Sequence, residues 1–534
     1  MATPRTSDYD RGPLADPLTD HPRPPVVPVG EKTFFGHPRG LATLFFTEMW
    51  ERFSYYGLRP LLILFMTATL MQGGFGFERS EAGAIVGIYA ASVYLASLPG
   101  GWVADRLLGL RRAIMLGAVL ITAGHLSIGL SGFATSKVPF FLGLVLIVLG
   151  TGLLKPNISA IVGDLYPEGG ARRDAGFSIF YMGINLGSFF GQIITGALGE
   201  KIGWHWGFGA AGVGMALGLV TFAIRQRSTL GNLGTEPSHH PDPVVDARQR
   251  RTGTIVLFAG LGLIALLFVL ASTGAVTFDP QAIGRMMTYV LVGIAVLYFA
   301  GVYATGKLTT DEKKRVAVIF VLFVFAAIFW AAFEQAPTSL NLFARDFTDR
   351  TFFGFEVPAL WFQSINSLFI IILAPVFAAL WVGMARRNME LSSPAKFSLG
   401  LLLAAIGFGL MIIPANMLVA SGGALKVSAI WLTLSYFFQT LGELSLSPVG
   451  LSSMTKLSPR KYVGQMMGIW FLAASVGNLI AGLVGGSVDP EKLEQTPMLF
   501  KGTTLALLVS AAVLALLAIP IRRMMANVED VKAE

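Results

Sequence analysis

The chain has 534 residues and a net charge of +8; 54% of its residues are hydrophobic and only 13% are charged. A soluble domain carries about 25% charged residues, so this deficit, with a mean hydropathy of +0.64, points to lipid as the solvent. The absence of cysteine excludes disulfides, thiolate metal sites and c-type haem attachment.

Residues 1–40 are proline-rich and polar, carry Arg5, Arg11, Arg23, Lys32 and Arg39, and lack a secretory signal pattern. They read as a disordered cytoplasmic tail. A membrane-spanning helix needs about 20 mostly apolar residues. Such runs lie at 42–70, 82–104, 112–132, 138–163, 174–199 and 205–224, and define a six-helix bundle over 41–225. The polar stretch 226–252, with His239 and His240, reads as a cytoplasmic linker. Runs at 253–272 and 283–304 hold little charge beyond Asp279 and Arg285 and read as an inserted two-helix hairpin over 253–305. Six further runs, at 315–343, 357–385, 397–420, 427–454, 462–486 and 499–521, define a second bundle over 306–525, with a cytoplasmic tail at 526–534. The expected fold is therefore an all-α polytopic membrane protein with fourteen spans.

Loop charge tests this map. With the N-terminus inside, the inner loops and tails hold about 28 of the 40 Lys and Arg, and the outer loops about nine. This is the positive-inside bias, and it accounts for the net positive charge without a nucleic-acid partner. Both termini are expected to be cytoplasmic.

The loop after the second run reads GGWVADRLLGLRRA over 100–113. It resembles the signature G-x-x-x-D-R-x-x-G-R-R of the major facilitator superfamily. Asp105 and Arg106 stand at a helix end, where they can bridge to a neighbouring helix and gate the inner face; an ordinary positive-inside loop is the alternative. The halves echo each other. GTGLLKPNISAIVGDLYP and TLGELSLSPVGLSSMTKLSP each combine a glycine, a mid-span charge (Lys155, Glu443), a nearby proline (Pro156, Pro448) and a terminal proline. Paired interrupted helices point to a site near the membrane midplane.

Seven charges lie mid-span: Glu48, Glu51, Arg52, Arg59, Lys155, Glu334 and Glu443. Each costs at least ~2.5–3.5 kcal/mol at a span centre. They fall in the first and fourth runs of each bundle, which can face one central cavity. Glu48, Glu51, Arg52, Tyr55 and Arg59 step by three or four and share a helix face. Three cations oppose four carboxylates, so one carboxylate lacks a fixed partner and is available to carry a proton. The alternative for this cluster is a structural ion-pair network. Pro337, three residues after Glu334, should loosen its helix as a hinge or a routine kink. Tyr89, Tyr94, Tyr181, Asn185, Asn366 and Trp470 add polar and aromatic groups, although each alone reads equally as packing. Gly183, Gly187 and Gly191 read as a helix contact face, and His125 as a satisfied packing histidine with proton transfer as the alternative. Arg79 and Asp346 flank outer loops of opposite bundles, and are expected to form an outer gate or to be two solvated loop charges.

EMWERFSYY over 48–56 resembles the E-x-x-E-R-F-x-Y-Y motif of the proton-dependent oligopeptide transporter family, a branch of the major facilitator superfamily. FYMGINLGS over 180–188 is similar to that family's fifth-helix signature, and GELSLSPVG over 442–450 to its E-L-x-x-x-P-x-G motif. The resemblance covers residues 40 to 525, and bacterial members share the layout of six, two and six spans. It implies a major facilitator fold and proton-coupled import of di- and tripeptides by alternating access. One charge crossing ~100 mV supplies ~2.3 kcal/mol, or roughly 50-fold accumulation. The resemblance further implies that Arg52 and Lys155 hold the peptide carboxylate and that Asn185, Asn366 and Glu443 hold its amino group. Tyr55, Tyr94, Trp330 and Trp470 would line side-chain pockets with Tyr56, Tyr89 and Tyr181. Glu48, Glu51 and Glu334 would handle the proton, with Arg52 beside them and Arg59 as the partner of Glu334. The second run lacks the histidine of animal members, so a carboxylate must serve, and Ser445 stands where some members have proline.

No metal or organic cofactor is expected, only protons as the coupling ion. A bacterial inner membrane and a monomer are the expected setting. The rival readings are a carrier of another small zwitterion, drug or anion, and a non-transporting membrane sensor. Enzyme activity is not expected, because no loop is long enough for a catalytic domain and no nucleophile constellation is present.

Overall fold

The computed structural model describes residues 33–529 apart from 134, 135, 168, 388 and 390. Most of the expected N-terminal tail, and residues 530–534 of the C-terminal one, lie outside the described residues. The helices are α1 (Arg39–Thr67), α2 (Arg79–Val103), α3 (Leu110–Leu130), α4 (Val138–Asp164), α5 (Gly170–Lys201) and α6 (Trp204–Leu230). Next come α7 (Pro243–Ser272) and α8 (Pro280–Thr305). The second set is α9 (Thr310–Phe333), the short α10 (Asn341–Phe347), α11 (Trp361–Arg386), α12 (Ser393–Ala420), α13 (Ile430–Leu457), α14 (Val463–Val484) and α15 (Gln495–Glu529).

Among the described residues, twelve helical segments are long and apolar enough to cross a membrane, with α9 and α10 counted as one. α1 and α13 fall outside that group. Four mid-span charges lower the hydropathy of α1, and Gln439, Thr440, Glu443 and several serines lower that of α13. Their neighbours shield these groups, α1 within the first helix set and α13 within the second, so the spans number fourteen, as expected.

Packing follows a pseudo-twofold pattern. α1 lies against α5 and α6, and α9 against α14 and α15; α3 pairs with α4 and α6, and α12 with α13 and α15. Under this correspondence α2 maps to α11 and α5 to α14. The two most extensive helix–helix contacts between the halves, α2 with α14 and α5 with α11, are therefore copies of one another. Small residues allow the closest approaches. Gly117 and Gly124 of α3 meet Gly150 and Gly143 of α4, where an added Cβ would lie 2.5–2.7 Å from a facing carbonyl oxygen. Gly187 and Gly191 of α5 approach the backbone of Met49 and Phe53 in α1, so this stripe is a helix contact face.

Three local features differ from the sequence reading. The linker is shorter, because α6 runs to Leu230 and α7 begins at Pro243. Asp242 caps α7 through the N–H groups of Val244 and Val245, and Pro243 occupies the first helical turn, where a missing N–H costs nothing. The run at 315–343 is broken. Pro337 cannot donate to the carbonyl of Phe333, so α9 stops there and the chain passes through a π-helical turn, Ala336–Leu340, into α10. Finally, four two-residue strands occur. Thr348–Asp349 pairs in parallel with Val427–Ser428, and Thr351–Phe352 forms a hairpin with Phe355–Glu356.

Candidate functional site

The central charges lie between the two helix sets. In α1, the guanidinium of Arg52 is 2% exposed and clamped by two carboxylates of its own helix. Its Nε lies 3.0 Å from Glu48 Oε1, and Glu51 is closer still. Arg52 also lies 5.3 Å from the centre of the Tyr55 ring, which stacks on Tyr89 at 6.3 Å. The Tyr55 and Tyr89 hydroxyls are buried without a hydrogen-bond partner among the described residues.

About two turns further along α1, Arg59 crosses to the other half. Its Nη2 lies 2.7 Å from Glu334 Oε2 and donates to Asn478 Oδ1 of α14 at 2.5 Å. Both charged side chains are buried. Glu334 occupies the break after α9, where the interrupted helix turns its carboxylate toward α1. Asn478 escaped the sequence reading. The only signal for it was a single amide in an otherwise apolar run, which helix packing explains equally well.

Lys155 projects from mid-α4, with Nζ 4.2 Å from the centre of the Tyr94 ring. It lies within electrostatic reach of Glu48, Glu51, Arg52 and Glu334. Glu443 projects from the corresponding position in α13 and accepts a hydrogen bond from Asn366 Nδ2 at 3.2 Å. It makes no ion pair among the described residues, and its charge reaches Tyr56 and Tyr181 of the other half. Asn366 also donates to Thr440 Oγ1 at 3.0 Å. Asn185 Nδ2 donates to the Tyr181 carbonyl of its own helix at 3.0 Å, and Tyr181 is exposed. Trp330 is half-buried against Gly477, with an unpartnered Nε1.

Three expected positions stand differently. Trp470 is buried in the second helix set, its ring filling the notch at Gly450 and 6.4 Å from Phe397, so it serves as core more than as pocket wall. His125 is not satisfied. It is 1% exposed against Gly212 of α6, and neither ring nitrogen has a partner among the described residues. Asp105 and Arg106 occupy a π-helical turn after α2 and form no ion pair there among the described residues; Asp105 instead accepts from the N–H of Ser238 through its backbone carbonyl.

The Arg79 end of the bundle is shut. Arg79 Nη1 lies 2.6 Å from Asp346 Oδ2 and donates to the Val488 carbonyl at 2.8 Å. Asp489 lies 3.8 Å from Arg79 Nε, Arg345 also binds Asp346, and Lys426 Nζ donates to the Asp346 carbonyl. Arg345 reaches Thr67 of α1 at 2.9 Å, and Asn341 reaches the Pro60 carbonyl at 2.7 Å. Backbone meets backbone where Gly83 and Gly87 of α2 face Gly482 of α14. A second latch was invisible in the sequence. Glu200, at the end of α5, accepts from the N–H groups of Ala359 and Leu360 at 2.8 and 2.9 Å, capping the start of α11 across the two halves. Among the described residues α4 and α13 share no packed face comparable to these latches. The described cross-half latches therefore gather at the Arg79 end of the molecule.

Comparison with known proteins assigns the arrangement. The profile of the POT family matches residues 111–497. The chain is 49% identical over 500 residues to the peptide transporter YePEPT of Yersinia enterocolitica subsp. palearctica, covering 94% of this chain and 98% of that one. It is 40% identical over 456 residues to the di-/tripeptide transporter of Lactococcus lactis subsp. lactis, covering 84% and 89%. A solved peptide transporter POT in complex with sulfate superposes with a TM-score of 0.84 at 42% identity, covering 92% of this chain and 97% of the other. A POT family transporter in complex with 5-aminolevulinic acid superposes at 0.82 with 36% identity, covering 92% and 98%. Motifs, fold and buried charges thus agree, and the chain belongs to the POT family, the proton-dependent oligopeptide transporters of the major facilitator superfamily.

Proposed function

We propose that this protein imports di- and tripeptides with protons, and that the fold described above is its inward-facing state. The observation that carries this reading is the buried Arg59–Glu334 pair. The pair joins a carboxylate of one half to an arginine of the other. Parting the halves breaks it, and a proton can then replace the guanidinium as the carboxylate's partner. Proton binding and the alternation of the halves are then one event. Glu48 and Glu51 share the task beside Arg52.

Lys155 and Glu443 stand on corresponding helices with opposite charges and suit the two ends of a zwitterion. Lys155 takes the peptide carboxylate, joined by Arg52 when its clamp loosens. Glu443 takes the amino group with Asn366 and Asn185. Tyr55, Tyr56, Tyr89, Tyr94, Tyr181 and Trp330 supply aromatic and hydroxyl surface for side chains of varied shape, backed by Trp470. Arg79 and Asp346 form the outer gate, and Asp105 and Arg106 belong to an inner gate that is open in this state. Loop charge supports cytoplasmic termini, and the bacterial relatives support an inner-membrane location; the protein works as a monomer. A second reading, carriage of another small zwitterion, is favoured by the relative that holds 5-aminolevulinic acid.

Uptake of labelled dialanine into proteoliposomes tests the proposal. Accumulation above the external concentration is expected only with an inwardly directed proton gradient, and unlabelled tripeptide should compete. Equal uptake with and without the gradient would remove proton coupling. Competition by 5-aminolevulinic acid and not by peptides would favour the second reading.

A further inference from the structure

α7 differs from every other span. None of its most apolar stretch is buried, so in a bilayer lipid surrounds most of it. Its N-terminal half meets the bundle at α2. Trp102, near the end of α2, lies against the backbone of Gly253, where an added Cβ would approach its ring to 1.9 Å. Beside this contact lies a cavity of about 660 Å³ between α2 and α7.

The cavity wall is graded along α7. Val256 and Leu257 lie toward the middle of the span, and Gln249 and Arg248 toward its N-terminus. Arg248 is exposed and makes no ion pair among the described residues, whereas Arg250 is held by Asp246 at 3.0 Å. An apolar trough that ends at a free guanidinium, at the depth where a span meets the membrane surface, matches an amphiphile with an anionic head. We propose that this groove binds an anionic phospholipid, its phosphate on Arg248 and an acyl chain along Trp102, Val256 and Leu257. A guanidinium recognises phosphate by paired hydrogen bonds. Arg251 adds positive potential at the same rim, and basic clusters beside a span attract anionic lipid. A second copy of the chain is disfavoured, because a twofold contact here would set these arginines against their own copies.

Brominated lipids quench tryptophan at contact, so Trp102 reports occupancy. The protein is placed in nanodiscs holding phosphatidylcholine with brominated phosphatidylglycerol, or the reverse. The Trp102→Phe variant subtracts the other eight of the nine tryptophans. Trp102 is expected to prefer phosphatidylglycerol by about fivefold, the factor one arginine supplies at an anionic surface. Arg248→Gln should remove that preference and leave weak quenching by both lipids. Equal preference in the unaltered protein would mean ordinary boundary lipid and would overturn the site, as would a preference unchanged in Arg248→Gln. Loss of the preference on adding inorganic phosphate would show a soluble-anion site instead. Absence of quenching by either lipid, with Thr252→Cys chains cross-linking to one another, would give the groove to a second copy.

Discussion

Removing Arg79 should open the end of the molecule that it clamps. Its side chain makes two direct bonds to the opposite half, to the Asp346 carboxylate at 2.6 Å and the Val488 carbonyl at 2.8 Å. The partners are partly shielded, with side chains 18% and 14% exposed. Hydrogen bonds to charged groups contribute about 1.5–3 kcal/mol when buried, and exposed ion pairs ~0–1 kcal/mol. This geometry lies between the two, at about 1–2 kcal/mol. Asp346 keeps Arg345 at 2.8 Å, so Arg79→Ala leaves no unpaired buried carboxylate to add to the loss. The ratio of closed to open molecules at this end should therefore fall about 5- to 30-fold. Arg79→Asp should act more strongly, because it sets a third carboxylate beside Asp346 and Asp489. The double reversal with Asp346→Arg should restore the ratio only in part, since the new arginine would meet Arg345 and Lys426. The chain has no cysteine, so spin labels can be placed without background at Met71 and Phe353, which are fully exposed at this end. Pulsed electron–electron distances between them should gain a longer population in Arg79→Ala. A distribution unchanged from the parent would refute the reasoning.

Gly482→Ala should shift the same label pair in the same direction, because its Cβ would sit 2.5 Å from Gly87 Cα and 2.6 Å from the Gly83 carbonyl, and backbone cannot rotate away; an unchanged distance would mean that the helices yield elsewhere. Glu334→Gln should keep peptide exchange between equal concentrations and lose gradient-driven accumulation, measured as counterflow and uphill uptake in one liposome preparation. If this variant still concentrates peptide, the proton rides on another group. Lys155→Ala should raise the KM for free-carboxylate dipeptides at least tenfold, a loss of ~1.4 kcal/mol, while carboxyl-amidated dipeptides are little affected. Equal losses for both substrates would sever Lys155 from the carboxylate.

Much of this protein is legible one residue at a time. Apolar length marks the spans because a bilayer core admits only backbone whose hydrogen bonds are satisfied within the segment. Loop arginines orient them, and a mid-span charge stands out because lipid makes it expensive. That is why Glu48, Arg52, Arg59, Lys155, Glu334 and Glu443 could be picked out before any coordinates. The break at Pro337 was also local, since it follows from a missing N–H.

Partnership was not local. Arg59 is one cation among several charges in α1, and only the meeting of the two halves sets it against Glu334. Trp470 has the composition of a pocket wall, but Gly450 offers its ring a notch in the core. Glu200 sits at a helix end like many surface glutamates, and only the docking of α11 onto α5 turns it into a cap. Asn478 is one amide among apolar neighbours until α14 brings it against Arg59. The sequence by itself determined the spans, their orientation bias and the types of buried charge, because each is set by the transfer of short segments and single side chains into lipid. Which carboxylate of one half meets which cation of the other, and which end of the molecule is latched, were decided only by the tertiary structure, because both depend on contacts between residues some 270 positions apart in the chain.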